Sequence, residues 1–159
     1  MIQAGDIILV SGEGIMSHLI EWATSSKYSH VLIALNDTYG IESQFGRNIG
    51  TVRLDKYINT GYVYRVNLTP AQTEKILEAA KSLIGQPYGI DSVANDFLRF
   101  VLHFPPIHFA NHWKDCSQYV NWCFSQGGEI LTKAPFPAPV DIEYSPHPNY
   151  IGALKEVIP

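Results

Sequence analysis

Both cysteines of the 159-residue chain fall within ten residues, KDCSQYVNWC, Lys114 to Cys123. Asp115 is a good helix N-cap and Gly127–Gly128 a good stop, so the stretch reads as a helix with Cys116 in its first turn. Backbone N–H groups there have no intrahelical partner, and the helix dipole favours negative charge. A thiolate is stabilised in that position and its pKa should fall. The same N–H groups could hold the oxyanion that forms when the thiolate adds to a carbonyl. Asp115, an adjacent anion, works slightly against this. Cys123 lies mid-helix between Trp122 and Phe124, in apolar surroundings that leave a thiol inert. The two cysteines are two turns apart, about 10 Å along a helix axis, whereas a disulfide needs Cα atoms within ~7 Å. Neither a C-x-x-C pair nor a Cys/His pair at finger spacing is present, which argues against zinc. The competing reading of Cys116 is a small buried hydrophobe.

A nucleophilic thiolate needs a base, and the chain has six histidines. His18 lies in an amphipathic segment, His103, His108 and His112 in an apolar loop, and His147 between two prolines. His30 stands apart. YSHVLIAL puts it at the start of a buried strand, a rigid edge from which a side chain can be presented. The next strand carries GIES, with Glu42 as a charge among apolar residues. On adjacent antiparallel strands Glu42 could reach the His30 ring and fix its tautomer, which would complete a nucleophile–base–orienter set. A hydrogen-bonded strand-edge histidine and a solvated glutamate are the plainer alternatives. Tyr28 and Tyr88 could each donate an O–H to an oxyanion or line a cleft, although most of the nine tyrosines must be packing residues.

The elements that must position these groups follow from patterning. GDIILVSG (Gly5 to Gly12), VLIAL after His30, YGIESQF (Tyr39 to Phe45), GTVRLDKYI and GYVYRVNL read as strands, with an NDTYG hairpin after the second. IMSHLIEWAT (Ile15 to Thr24) has the spacing of a short helix. The clearest helix is LTPAQTEKILEAAKSLIGQ. Thr69 is its N-cap, Pro70 its first residue and Gly85 its end, with a stripe of Ile76, Leu77, Ala80, Leu83 and Ile84. QPYGIDSVANDFLRFVLHF reads as a loop and a helix. APFPAPVDIEYSPHP reads as a proline-rich coil that wraps the core. A β-rich first half and a helical second half make an α+β chain of one domain, residues 1–159.

Composition narrows the function. Hydrophobic residues make up 46% and charged residues 16%, which suits a packed globule. A net charge of −4 with scattered lysines and arginines argues against a nucleic-acid partner. No run approaches the ~18 apolar residues of a membrane span; the most apolar stretch, 97–109, is broken by Arg99, His103 and two prolines. MIQAGDIILV lacks the features of a signal peptide, so the expectation is a cytoplasmic protein, with export by another route or phage delivery left open.

Five short matches in order, GDIILV, YSHVLIAL, GIES, GQPYG and DCSQYVNWC, resemble the circularly permuted branch of the NlpC-type papain-like superfamily, the YiiX-like and lecithin–retinol acyltransferase-like branch. In that branch the histidine strand precedes the cysteine helix. Pro139, Asp141 and Ser145 match its closing P-x-D-[LI]-x-x-S segment. The resemblance implies a papain-like α+β fold, a small antiparallel sheet or barrel packed against helices that include the cysteine helix. It implies Cys116 as nucleophile, His30 as base and Glu42 as the third polar residue, with no cofactor and no metal. In the cell-wall enzymes the Asp and Ser flanking the cysteine contact a substrate amine; Asp115 and Ser117 match by type, and helix capping accounts for them equally. There are departures. Leu32 stands where HVGI has glycine, Gln118 where DCSG has glycine, and the tryptophan of the cell-wall enzymes' PY-x-WGG is absent. The expected activity is a cysteine hydrolase or acyltransferase working through an acyl-enzyme on a peptide, cell-wall peptide or lipid ester. The alternatives are a non-catalytic binding module or a structural subunit.

Overall fold

The sheet is built around its most apolar segment. Ile7–Val10 (β1) reads IILV and is buried along its whole length. A strand covered on both faces needs no polar alternation, and β1 is central. It pairs with His30–Ala34 (β2) on one side and Gly61–Arg65 (β5) on the other. Tyr39–Glu42 (β3) and Gly50–Arg53 (β4) extend the sheet beyond β2, and Asn149–Ala153 (β6) extends it beyond β5. All pairings are antiparallel, in the order β4-β3-β2-β1-β5-β6, and the sheet is open, which decides between the sheet and the barrel. This computed structural model describes residues 1–12, 26–87, 115–135 and 137–158. The helices expected at 15–24 and after Gln86, together with Tyr88, His18, His103, His108 and His112, lie outside the described residues.

Two apolar layers cover the sheet. Strand periodicity sends alternate side chains to opposite faces. Ile7, Leu9, Val31, Ile33 and Ile41 face Pro70–Ser82 (α1) and Cys116–Gln126 (α2), against Ile76, Ala80, Tyr119, Val120 and Phe124. Ile8, Val10, Leu32, Ala34 and Val63 face the other way, onto Leu54 and Tyr57 of a 3-10 turn (Leu54–Tyr57) and onto Leu154. The fold is mixed α+β, as the order of elements leads one to expect.

Both long helices begin where their caps require. Thr69 Oγ1 accepts from Gln72 N at 3.3 Å, and Asp115 Oδ1 accepts from Gln118 N at 2.7 Å. Tyr119 Oη donates to Ala80 O at 3.0 Å, which ties α2 to α1. The helices meet closely at Gly127, the residue that ends α2. A Cβ there would lie 2.6 Å from Ile76 Cγ1 and 3.0 Å from Gln72 O.

Three elements differ from expectation. The run 50–58 is a short strand and then a 3-10 turn, because Leu54 and Tyr57, three apart, both turn into the second layer. The proline-rich segment 134–148 is more than coil, because it forms Pro139–Glu143 (α3), and beyond it come β6 and Leu154–Val157 (α4), for which the sequence reading named no element. β6 hid because it is a sheet edge with three exposed residues, so it shows no apolar period. Ile84, placed on the α1 stripe, lies beyond the helix and is exposed.

Gly127→Ala should destabilise the protein by about 1–3 kcal/mol, the usual cost of forcing a methyl into packed space. Thermal unfolding followed by circular dichroism checks this; an unchanged melting temperature would mean that α1 and α2 do not pack as described.

Candidate functional site

The ladder between β2 and β3 places Glu42 beside His30. Leu32 is registered with Glu42, so His30, two residues back along β2, is a diagonal neighbour on the same face. His30 Nε2 lies 3.0 Å from Glu42 Oε2. Two further donors reach the same carboxylate from the 3-10 turn. Tyr57 Oη donates to Oε2 at 2.5 Å, and Lys56 Nζ donates to Oε1 at 3.2 Å. The Tyr57 ring also stands 5.9 Å from the His30 ring.

Glu42 is nearly fully buried, and burial opposes its ionisation. The hydrogen bond and charge of His30, the Tyr57 hydroxyl and the Lys56 ammonium outweigh that burial and hold its pKa at about 2. The Tyr57 hydroxyl moves the opposite way: burial, then the Glu42 hydrogen bond and charge, push its pKa well up. An ionised carboxylate only accepts hydrogen bonds. The His30 nitrogen that faces it must therefore carry the proton, and the lone pair of the neutral ring sits on Nδ1.

Cys116 opens α2 behind the Asp115 cap. It is 7% exposed, whereas Cys123 is 0% exposed, and neither forms a disulfide. Cys116 Sγ lies 3.9 Å from Ser117 Oγ. α2 packs on the face of the sheet opposite the layer that holds Tyr57. Charge on Cys116 is the last and smallest of the causes that raise the Tyr57 pKa.

The other sequence candidates fall elsewhere. Tyr28 is buried in the first layer; its hydroxyl hydrogen-bonds Tyr64 Oη at 3.0 Å and its ring packs edge-on to Tyr62. Tyr88 lies outside the described residues. Asp115 and Ser117 are buried at the start of α2, and Asp115 caps it. Asp141 also caps: its Oδ2 accepts from Ala138 N at 2.8 Å. Sequence reasoning missed Lys56 and Tyr57. A strand reading of LDKY gives neither a direction toward Glu42, and only their three-dimensional return beneath β3 reveals them. A cavity of about 340 Å³ opens beside His30, with Tyr57, Lys56 and Ser29 among its walls.

No family model matches the chain, and no curated protein does. Among solved structures it is similar to the metalloprotein YiiX from Escherichia coli O157:H7, at 18% identity over 95% of this chain and 97% of that one, with a TM-score of 0.71. The likeness shows a YiiX-like fold. Among the described residues no group of three or more His, Cys, Asp and Glu stands together as a metal site, and no helix is long and apolar enough to cross a membrane.

Because the folded-state pKa of Glu42 is depressed, its contribution to stability is complete above about pH 4.5 and is lost as pH falls toward about 2. Urea unfolding of wild type and Glu42→Gln across that window should show a gap that closes as pH falls. A constant gap would mean that Glu42 is not held ionised by its three donors.

Proposed function

We propose that the protein is a papain-like cysteine hydrolase or acyltransferase of the permuted NlpC type, with Cys116 as nucleophile, His30 as base and Glu42 as the group that orients His30. The observation that carries this reading is the buried, ionised Glu42 on His30 Nε2, which leaves Nδ1 as the basic nitrogen; the place of Cys116 in the first turn of a capped helix agrees with it. The YiiX-like fold supports it at the level of architecture.

The reaction divides into two halves. Nδ1 takes the thiol proton, and the thiolate at the positive end of α2 adds to an amide or ester carbonyl. The tetrahedral oxyanion forms at the N-terminal end of α2, where the helix dipole favours negative charge, with Asp115 and Ser117 flanking. Collapse breaks the bond to the leaving amine or alkoxide, which receives the proton from the imidazolium. Water or another acceptor, deprotonated by Nδ1, then cleaves the thioester and restores the thiol. Throughout, Glu42 keeps the ring in one orientation and stabilises the imidazolium. Lys56 and Tyr57 hold Glu42.

Alkylation by iodoacetamide tests the reading without a known substrate. Cys116 should label with a midpoint well below the ~8.5 of an ordinary thiol, and Cys123 should remain unlabelled as the internal control. His30→Ala should slow labelling of Cys116 at neutral pH by about tenfold or more, the lower range of what a positioned base supplies. Slow labelling with a midpoint near 8.5 in both proteins would favour a non-catalytic binding module.

A further inference from the structure

Two donors share one oxygen of Glu42. His30 Nε2 and Tyr57 Oη both point at Oε2, at 3.0 and 2.5 Å, and the shorter contact is the one to the phenol. Lys56 Nζ takes the other oxygen, Oε1, at 3.2 Å. The ammonium is kept there from two further sides, by Gln44 Oε1 at 3.1 Å and by the Tyr57 ring, whose centroid lies 4.6 Å away. The turn LDKY thus delivers a neutral donor and a cation to the same carboxylate that serves His30. Glu42, with its pKa at about 2, is ionised throughout the range in which an imidazole titrates. The Tyr57 phenol, pushed well up by burial and by Glu42, keeps its proton over that range. The groups that bear on the pair are Glu42 from β3, Lys56 and Tyr57 from the turn, Arg47 from the loop after β3 and Cys116 from α2, the last two through their charge on Tyr57.

We propose that Tyr57 and Lys56 are positioning residues that also divide the charge of Glu42, so that the His30 ring releases its proton at a lower pH than it would beside a carboxylate it held alone. A carboxylate that is hydrogen-bonded and ion-paired elsewhere stabilises an imidazolium less. That matters for a base. A ring that stays charged cannot take a proton from a thiol or from water, and a base works best when it titrates near the working pH. The proposal rests on the hydrolase reading only for the use made of the base; the division of charge is a property of the three contacts themselves. A donor that only held Glu42 in place would act with the opposite sign. Its removal would loosen the carboxylate from His30 and let the ring lose its proton at lower pH.

A pH titration of the His30 imidazole by ¹⁵N NMR distinguishes the two. It is made in full-length Cys116→Ser, which takes the thiol's own ionisation out of the profile. Tyr57→Phe keeps the ring and removes only the hydroxyl; it should move the His30 midpoint up by about half a pH unit or more. Lys56→Met should move it up by a similar amount, and Lys56→Arg, which keeps the charge, should leave it where it was. 3-Fluorotyrosine at position 57, a stronger donor of nearly the same volume, should move the midpoint down, so the test holds even if Tyr57→Phe does not fold. In a Glu42→Gln background, Tyr57→Phe should no longer shift the midpoint, because no carboxylate charge is left to divide. An unchanged or lowered midpoint in Tyr57→Phe, a raised one with fluorotyrosine, or a Tyr57→Phe shift that persists in Glu42→Gln would overturn the proposal. If the midpoints move as expected while Cys116 of the wild type alkylates like an ordinary thiol, the hydrolase reading fails and the division of charge stands. If Cys116 alkylates with a midpoint well below ~8.5 and the His30 midpoints do not move, the division of charge fails and the hydrolase reading stands.

Discussion

A buried carboxylate must be matched by donors, and the site is organised around meeting that demand at Glu42. Three donors converge on it: an imidazole from β2, a phenol and an ammonium from the 3-10 turn. Each would be less constrained alone. Together they fix the ring of His30, lock the turn beneath β3 and hold a charge inside the protein. Charge that is buried and fully bonded is costly to disturb, so the geometry is rigid where a reaction would need it to be.

That convergence depends on the β2–β3 register and on one small residue. A slip of a single position would turn Glu42 to the opposite face, away from His30. Gly40, next on the same face of β3, lets the turn approach: a Cβ there would lie 2.8 Å from Leu32 Cδ1 and 3.0 Å from Leu54 Cδ2. Leu54 packs into that space, and Lys56 and Tyr57 follow it under Glu42. On the other face, α2 is pinned by its cap, by Tyr119 on Ala80 and by the absence of a side chain at Gly127. Cys116 thus lies in the layer of the sheet opposite the one that holds Tyr57.

Local rules made some of this legible in advance. Asp115 before Cys116 announced a capped helix because capping is decided within four residues. His30 and Glu42 could be paired on paper because one short hairpin separates their strands. Lys56 and Tyr57 could not, since their run was read as a continuing strand, whereas the chain turns after Arg53 so that Leu54 and Tyr57 both reach the second layer. Tyr28 looked like a hydroxyl donor two residues from His30, but it precedes β2 and packs into the first layer against Tyr62 and Tyr64. Long-range packing decides these cases, and no window of sequence contains it.

The central claim is that Glu42 holds the neutral ring of His30 with its proton on Nε2, so that the lone pair sits on Nδ1. Long-range ¹H–¹⁵N correlation of the imidazole nitrogens tests it most directly. At a pH where the ring is neutral, Nε2 of His30 should carry the proton and Nδ1 the lone pair, and Glu42→Gln should weaken that preference. A neutral His30 protonated on Nδ1, or one whose tautomer ignores residue 42, would contradict the account.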